Sequence, residues 1–150
     1  MIYQSIARDL LAALCVLQGA ATMAVDLNCS HARSSAWTGH ARFHVVWQTS
    51  AFMALAVLEV MLLFAPGTGL AQRFYMAALL AAIPMLGFFI AVFARGLYGG
   101  QLGDANGIPP VPVHLFGVKR LIDLNVAAEV VGLLSLIAIV VLFRHTGLHR

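Results

Sequence analysis

The segment from Phe74 to Ala94 contains no charged residue, and this run constrains the fold more than any other feature of the sequence. Its 21 residues would form an α-helix about 31 Å long, which matches the ~30 Å hydrocarbon core of a bilayer. The whole chain agrees, because 10% of its residues are charged, whereas soluble domains have about 25%. The sequence therefore predicts a single all-α domain integral to a membrane.

Three further apolar segments are long enough to cross a bilayer. We predict spans at about residues 5–26, 39–64, 71–95 and 119–143, which together form a four-helix bundle. A cleaved secretory signal is the alternative for the first span, because Arg8 precedes its apolar run. An even number of spans places both termini on one side of the membrane, here called the terminal side. The two long loops then lie together on the other, the loop side.

Polar residues gather on the predicted loop side. They are Asp26, His31, His40, His44, Arg95, Asp104, His114 and Asp123. Three spans also carry polar stripes in the same half of the membrane, formed by Gln18, Thr22 and Asp26, by His40, His44 and Gln48, and by Asn125 and Glu129 with Asp123 nearby. An acid at mid-span costs roughly 2.5–3.5 kcal/mol on insertion scales, so we expect the stripes to face one another and enclose a polar pocket.

His40 and His44 are the strongest metal-binding candidates. Thr38 can cap the second helix, and the two histidines then lie one turn apart on one face. Neutral imidazoles at this spacing can bind one divalent ion. The expected third ligand is His31, with His114, Asp26 and Glu129 as the other candidates.

The same pocket also suits general acid–base chemistry on a lipophilic molecule. Glu129 or Asp123 would be the acid or base, and His44 its partner. The reaction would be an isomerisation that moves a proton, or an oxidation–reduction of the quinone type. The expected ligand-binding residues are Arg42, Trp37, Gln48, Asn125 and Asp26.

A third interpretation requires neither metal nor catalysis. The histidines and Arg42 would bind lipid phosphate or loop carbonyls, while Asn125 and Glu129 would form hydrogen bonds between helices. The chain would then be an accessory subunit, with other membrane subunits or further copies of itself as partners. No nucleic-acid partner is expected, because the Lys and Arg residues form no basic stripe.

Glu59 stands apart from the predicted pocket. It lies about 22 Å along the second helix from His44, near the terminal side of the membrane. We therefore expect a structural role for it, with Arg73 or Tyr75 as its partner.

Residues 37–44, Trp-Thr-Gly-His-Ala-Arg-Phe-His, resemble a segment of small four-span bacterial membrane proteins of unassigned function. In those proteins the segment often has two prolines after the tryptophan. Here Thr38 and Gly39 stand at the proline positions, while His40, Arg42 and His44 remain. The resemblance implies a protein of the bacterial cytoplasmic membrane with a site at this segment, and it implies no activity.

Overall fold

The computed structural model describes residues 2–103, 107 and 109–147, so Asp104 lies outside the described residues. Four helices dominate, and a β-hairpin lies between the third and the fourth. The elements are α1 (Ile2–Asp26), α2 (Gly39–Phe64), α3 (Leu70–Tyr98), β1 (Val111–Leu115), β2 (Val118–Ile122) and α4 (Leu124–Gly147). All four helices are long and apolar enough to cross a membrane. This confirms the predicted multi-pass four-helix bundle.

The buried core lies in the half of the bundle nearer the terminal side. Each helix packs against the next, and α4 closes the bundle against α1. The core consists of Ala7, Leu11, Ala12, Cys15, Leu63, Phe74, Ala77, Ala78, Ala81, Met85, Leu136, Ile139 and Phe143. The rings of Phe74 and Phe143 stack within it, with centroids 3.7 Å apart and planes 7° apart. The α3–α4 contact is the least extensive between neighbouring helices.

Two residues of α1 hold it close to α2 and α3. A Cβ atom on Gly19 would lie 3.0 Å from Cβ of Ala56, so the backbones of α1 and α2 approach closely at this point. Gln18 Nε2 donates a hydrogen bond of 3.3 Å to the carbonyl oxygen of Ala81 in α3. Ala81 lies in the turn before Pro84, whose missing N–H leaves the adjacent carbonyl of Leu80 without its usual donor in the helix. The polar stripe of α1 therefore begins inside the bundle, against α3.

The fourth span begins at Leu124, so its predicted start near residue 119 was wrong. Residues 111–122 form an antiparallel hairpin, in which Val111 pairs with Ile122 and Leu115 with Val118. Phe116 and Gly117 make its two-residue turn, with φ of 51° and 78°. Two successive positive φ angles are typical of a type I′ turn. The other predicted spans agree with the helices to within three residues at each end.

Asp123 caps α4 instead of lying inside the fourth span. Its Oδ1 accepts hydrogen bonds from the backbone N–H groups of Asn125 at 2.9 Å and Val126 at 3.2 Å. These are two of the N–H groups that a helix start leaves without a partner in the helix. Asp123 therefore stabilises the start of α4, a role that was not predicted from the sequence.

Candidate functional site

The first turns of α2 form the candidate site. Thr38 precedes the helix in an extended conformation, and its hydroxyl oxygen accepts the N–H of Ala41 at 3.2 Å, which confirms the predicted cap. The helix then continues without a break, so His40 and His44 lie one turn apart. Their Nε2 atoms are 3.0 Å apart, and their ring planes are nearly perpendicular at 87°. The two imidazoles thus converge on one point.

His40, His44 and Gln48 are exposed on the outside of the bundle. The expectation that this stripe faces the polar stripes of α1 and α4 was therefore wrong. The buried side of α2 is formed by Thr49, Ala56, Glu59 and Leu63. At 100° per residue, the two histidines lie roughly 105–145° around the helix from that side.

A longer surface stripe runs along α2 opposite its buried side. Its members follow one another at alternating spacings of four and three residues, and all of them are exposed. They are His40, His44, Trp47, Ala51, Ala54, Leu58 and Met61, here called the outer stripe. This spacing is that of a helix packed against another helix in a left-handed crossing. This spacing is present in the sequence, but it was not predicted as a contact surface because five of the seven residues are not polar.

Aromatic rings surround the histidine pair. The ring centroids of Phe43 and Trp47 lie 5.8 Å and 5.7 Å from that of His44 and 6.3 Å from each other, so the three rings form one cluster. Both aromatic side chains are 61% exposed. Rings of this kind concentrate at the boundary between a bilayer and water, which places this part of α2 at the loop-side boundary.

His31 belongs to a separate cluster within the first loop. Its Nδ1 lies 2.7 Å from the Ser30 hydroxyl, its ring meets the edge of Trp37 at 5.2 Å, and it interacts electrostatically with Asp26. It does not join His40 and His44. Within the described ranges, no three His, Cys, Asp or Glu side chains form a group that could hold a metal ion. The predicted three-histidine set is therefore not assembled.

The predicted catalytic carboxylates, Glu129 in α4 and Asp123 just before it, make no contact with His44. Glu129 is half-buried and Asp123 caps its helix. Among the described residues, no hydrogen bond or ion pair joins either carboxylate to His44. Asn125 lines a cleft between α3 and α4. Arg42 is half-buried, and its Nε is shielded from solvent without a hydrogen-bond partner.

Glu59 lies in the core, with 2% of its surface exposed. Its carboxyl group interacts with the thiol of Cys15 in α1. The expected partnership with Arg73 was wrong, because that guanidinium donates to the carbonyls of Thr68 and Gly67. The separation of Glu59 from the histidines is as predicted.

No protein-family model, curated protein or solved structure matches this chain. The inference of function therefore rests on the outward surface of α2. This surface carries a histidine pair at the membrane boundary and the outer stripe, which continues from the pair along the helix.

Proposed function

We propose that this chain is an accessory subunit of a membrane complex and that it binds a transmembrane helix of its partner through the outer stripe of α2. The observation that carries the proposal is the outward position of two polar side chains on a surface that would otherwise face lipid: His44 within the outer stripe, and Gln48, one turn beyond it at the edge of the stripe. The resemblance of residues 37–44 favours the bacterial cytoplasmic membrane as the location.

The length of α2 sets the depth of these side chains. Its 26 residues measure about 39 Å, roughly 9 Å more than the hydrocarbon core. If all of the excess projects on the loop side, Gln48 still lies a few ångströms inside the hydrocarbon, because it is about 13 Å from the start of the helix. A side-chain amide has no hydrogen-bond partner in lipid tails, so a polar group on a neighbouring helix would stabilise it by about 0.6–2 kcal/mol.

The shape of the outer stripe also suits a helix partner. Ala51 and Ala54 allow the backbone of a second helix to approach, and Trp47, Leu58 and Met61 flank them as larger contacts. The outward face of α3 offers a contrast, since it presents large apolar side chains. These are Leu79, Ile83, Leu86, Ile90 and Phe93, all exposed. That face is suited to lipid, whereas the outer stripe combines small and polar residues.

Site-specific photo-crosslinking in native membranes tests this proposal. A photoreactive residue at Ala51 or Leu58 should give one discrete adduct with a membrane protein. The same residue at Ile90 or Phe93 is the matched control and should give only lipid adducts. Equal protein crosslinking from both faces, or none from Ala51, would contradict the proposal.

The geometry of the histidine pair supports a second function, the binding of a divalent metal ion. Two nitrogens at about 2.0–2.1 Å from one tetrahedral ion lie about 3.3–3.4 Å apart, and the Nε2 atoms of His40 and His44, now 3.0 Å apart, would reach that separation by a small rotation of the rings. Water or a partner's side chain would complete the coordination. The isomerase and oxidoreductase chemistry considered for the pocket gains no support, because the described carboxylates do not approach the pair.

A further inference from the structure

A cleft opens between α3 and α4 at the loop-side end of the bundle. Its volume is about 240 Å³, and its wall includes Phe88, Ala91, Val92, Arg95, Gln101 and Asn125. The cleft lies at this end because the α3–α4 contacts of the core lie in the opposite half, where Phe74 meets Phe143. The Tyr98 hydroxyl donates to the Ala91 carbonyl at 2.8 Å and fixes one wall.

The cleft is polar at its outer end and apolar at its inner end. Arg95 is the first charged residue after the uncharged run of Phe74 to Ala94, so its guanidinium lies where hydrocarbon gives way to headgroups. Gln101 and Asn125 add amide donors at the same end. Phe88 lies about two turns deeper along α3, within the hydrocarbon layer.

We propose that this cleft binds the phosphate and glycerol part of a membrane phospholipid, with the phosphate at Arg95. A guanidinium presents paired N–H donors that match phosphate oxygens, and amide N–H groups can bind those that remain. The Arg95 side chain makes one long hydrogen bond among the described residues, at 3.4 Å to the Val92 carbonyl, which a phosphate can replace. The cleft is smaller than a typical pocket for a whole small molecule, which is about 300–1,000 Å³. It therefore encloses the headgroup end, and the acyl chains remain in the bilayer.

The charge of the loop side selects an anionic lipid. Its described residues include five cations and two acids. The cations are Arg33, Arg42, Arg95, Lys119 and Arg120, and the acids are Asp26 and Asp123. Basic residues next to a membrane attract anionic headgroups by about 1 kcal/mol each near the surface. We therefore expect phosphatidylglycerol to bind in preference to phosphatidylcholine.

Native mass spectrometry of the detergent-purified full chain tests the inference by titration with each lipid. The parent should bind one phosphatidylglycerol several-fold more tightly than phosphatidylcholine. Arg95→Gln should weaken phosphatidylglycerol binding by tenfold or more, since it removes a charged hydrogen-bond donor. Arg33→Gln, which removes an exposed charge from the same side of the membrane, is the matched control and should weaken binding by no more than about fivefold, since it removes only one attraction at a distance.

A second variant keeps the charge and fills the cleft. Ala91→Phe should reduce phosphatidylglycerol binding as strongly as Arg95→Gln. If circular dichroism shows that Arg95→Gln does not fold, Ala91→Phe alone tests whether the lipid binds in the cleft. Unchanged binding by a folded Ala91→Phe variant would overturn the inference, as would equal losses from Arg95→Gln and Arg33→Gln. Inorganic phosphate and glycerol 3-phosphate at millimolar concentration should not displace the lipid. If they do, the cleft is a site for soluble phosphate, and the lipid assignment is wrong.

Discussion

The Nε2 atoms of His40 and His44 lie 3.0 Å apart on the surface of α2 that faces away from the bundle core. One imidazole donates a hydrogen bond to the other, so at least one of the rings is neutral in this arrangement. A metal ion bound by both Nε2 atoms would replace this hydrogen bond, and the donor ring would then carry its proton on Nδ1. The described carboxylates of the protein do not occupy the position of that ion.

Replacement of either histidine should abolish metal binding by the pair. His40→Ala or His44→Ala removes one of two converging ligands and should weaken zinc binding by more than about tenfold, because losing a group that only orients a metal ligand already costs about that much. The measurement is zinc content by inductively coupled plasma mass spectrometry after equilibrium dialysis of detergent-purified protein. His114→Ala, in the exposed hairpin, is the control and should keep the zinc. Equal zinc content in all variants would show that the pair is not a metal site.

Enlarging Gly19 should destabilise the bundle. Its missing side chain lets α1 approach α2, and a leucine there would press on Ala56 and the α2 backbone. We expect a loss of about 1–3 kcal/mol in the free energy of unfolding, as for other overpacked sites, and a lower Tm in detergent. Gly87→Leu is the matched control, because nothing lies within 4 Å of a Cβ at that position. A similar fall in Tm for both variants would argue against close packing at Gly19.

The turn of the hairpin should be improved by Phe116→Asn. Phe116 has a positive φ of 51° and a fully exposed ring, whereas asparagine followed by glycine is the preferred pair in a type I′ turn. The variant should slow amide hydrogen exchange at residues paired across the hairpin, such as Val113 and Arg120. Gly117→Val should speed that exchange, because a β-branched residue is strained at a φ of 78°. Identical exchange rates in the parent and both variants would contradict the turn geometry.

Glu59 should tolerate the loss of its charge better than the loss of its volume. It is almost fully buried against Cys15, so Glu59→Gln keeps the shape and a polar contact. Glu59→Ala leaves a cavity and should lower the free energy of unfolding by about 2–5 kcal/mol, as for large-to-small changes elsewhere in cores. Thermal unfolding in detergent measures both. A lower Tm for Glu59→Gln than for Glu59→Ala would instead mean that the carboxylate itself holds the bundle.

The fold could be predicted largely from where charges are absent. A helix long enough to cross a bilayer needs an uncharged segment of suitable length, and residues 74–94 supply one without ambiguity. The start of α4 could not be found in this way, because three of the five residues of the preceding strand, Val118, Leu121 and Ile122, are apolar like those of the helix. The available signal was Gly117, since glycine is favoured in the tight turn of a hairpin. This signal concerns the backbone dihedral angles of two residues and does not appear in the hydrophobicity of the segment.

The histidine pair could be predicted from its spacing, but the direction in which it faces could not. The cost of exposing polar residues to lipid favoured an inward orientation of the histidine stripe. Glu59, which lies deeper in the membrane, requires the buried face of the same helix, and both sets of residues cannot occupy that face. A carboxyl group within the hydrocarbon layer is costly in lipid, whereas histidines at the membrane boundary still contact water and headgroups. The helix therefore buries Glu59 together with Thr49 and leaves His40 outside.

The mass of the particle that leaves the native membrane tests the central claim most directly. Extraction with a membrane-solubilising copolymer, followed by native mass spectrometry, should release the parent bound to at least one further polypeptide. Ala51→Phe should block the approach of a second helix and release the single 16.1 kDa chain. Ile83→Phe, on the outward face of α3, should leave the complex intact. A parent protein that leaves the membrane as a single chain would contradict the account.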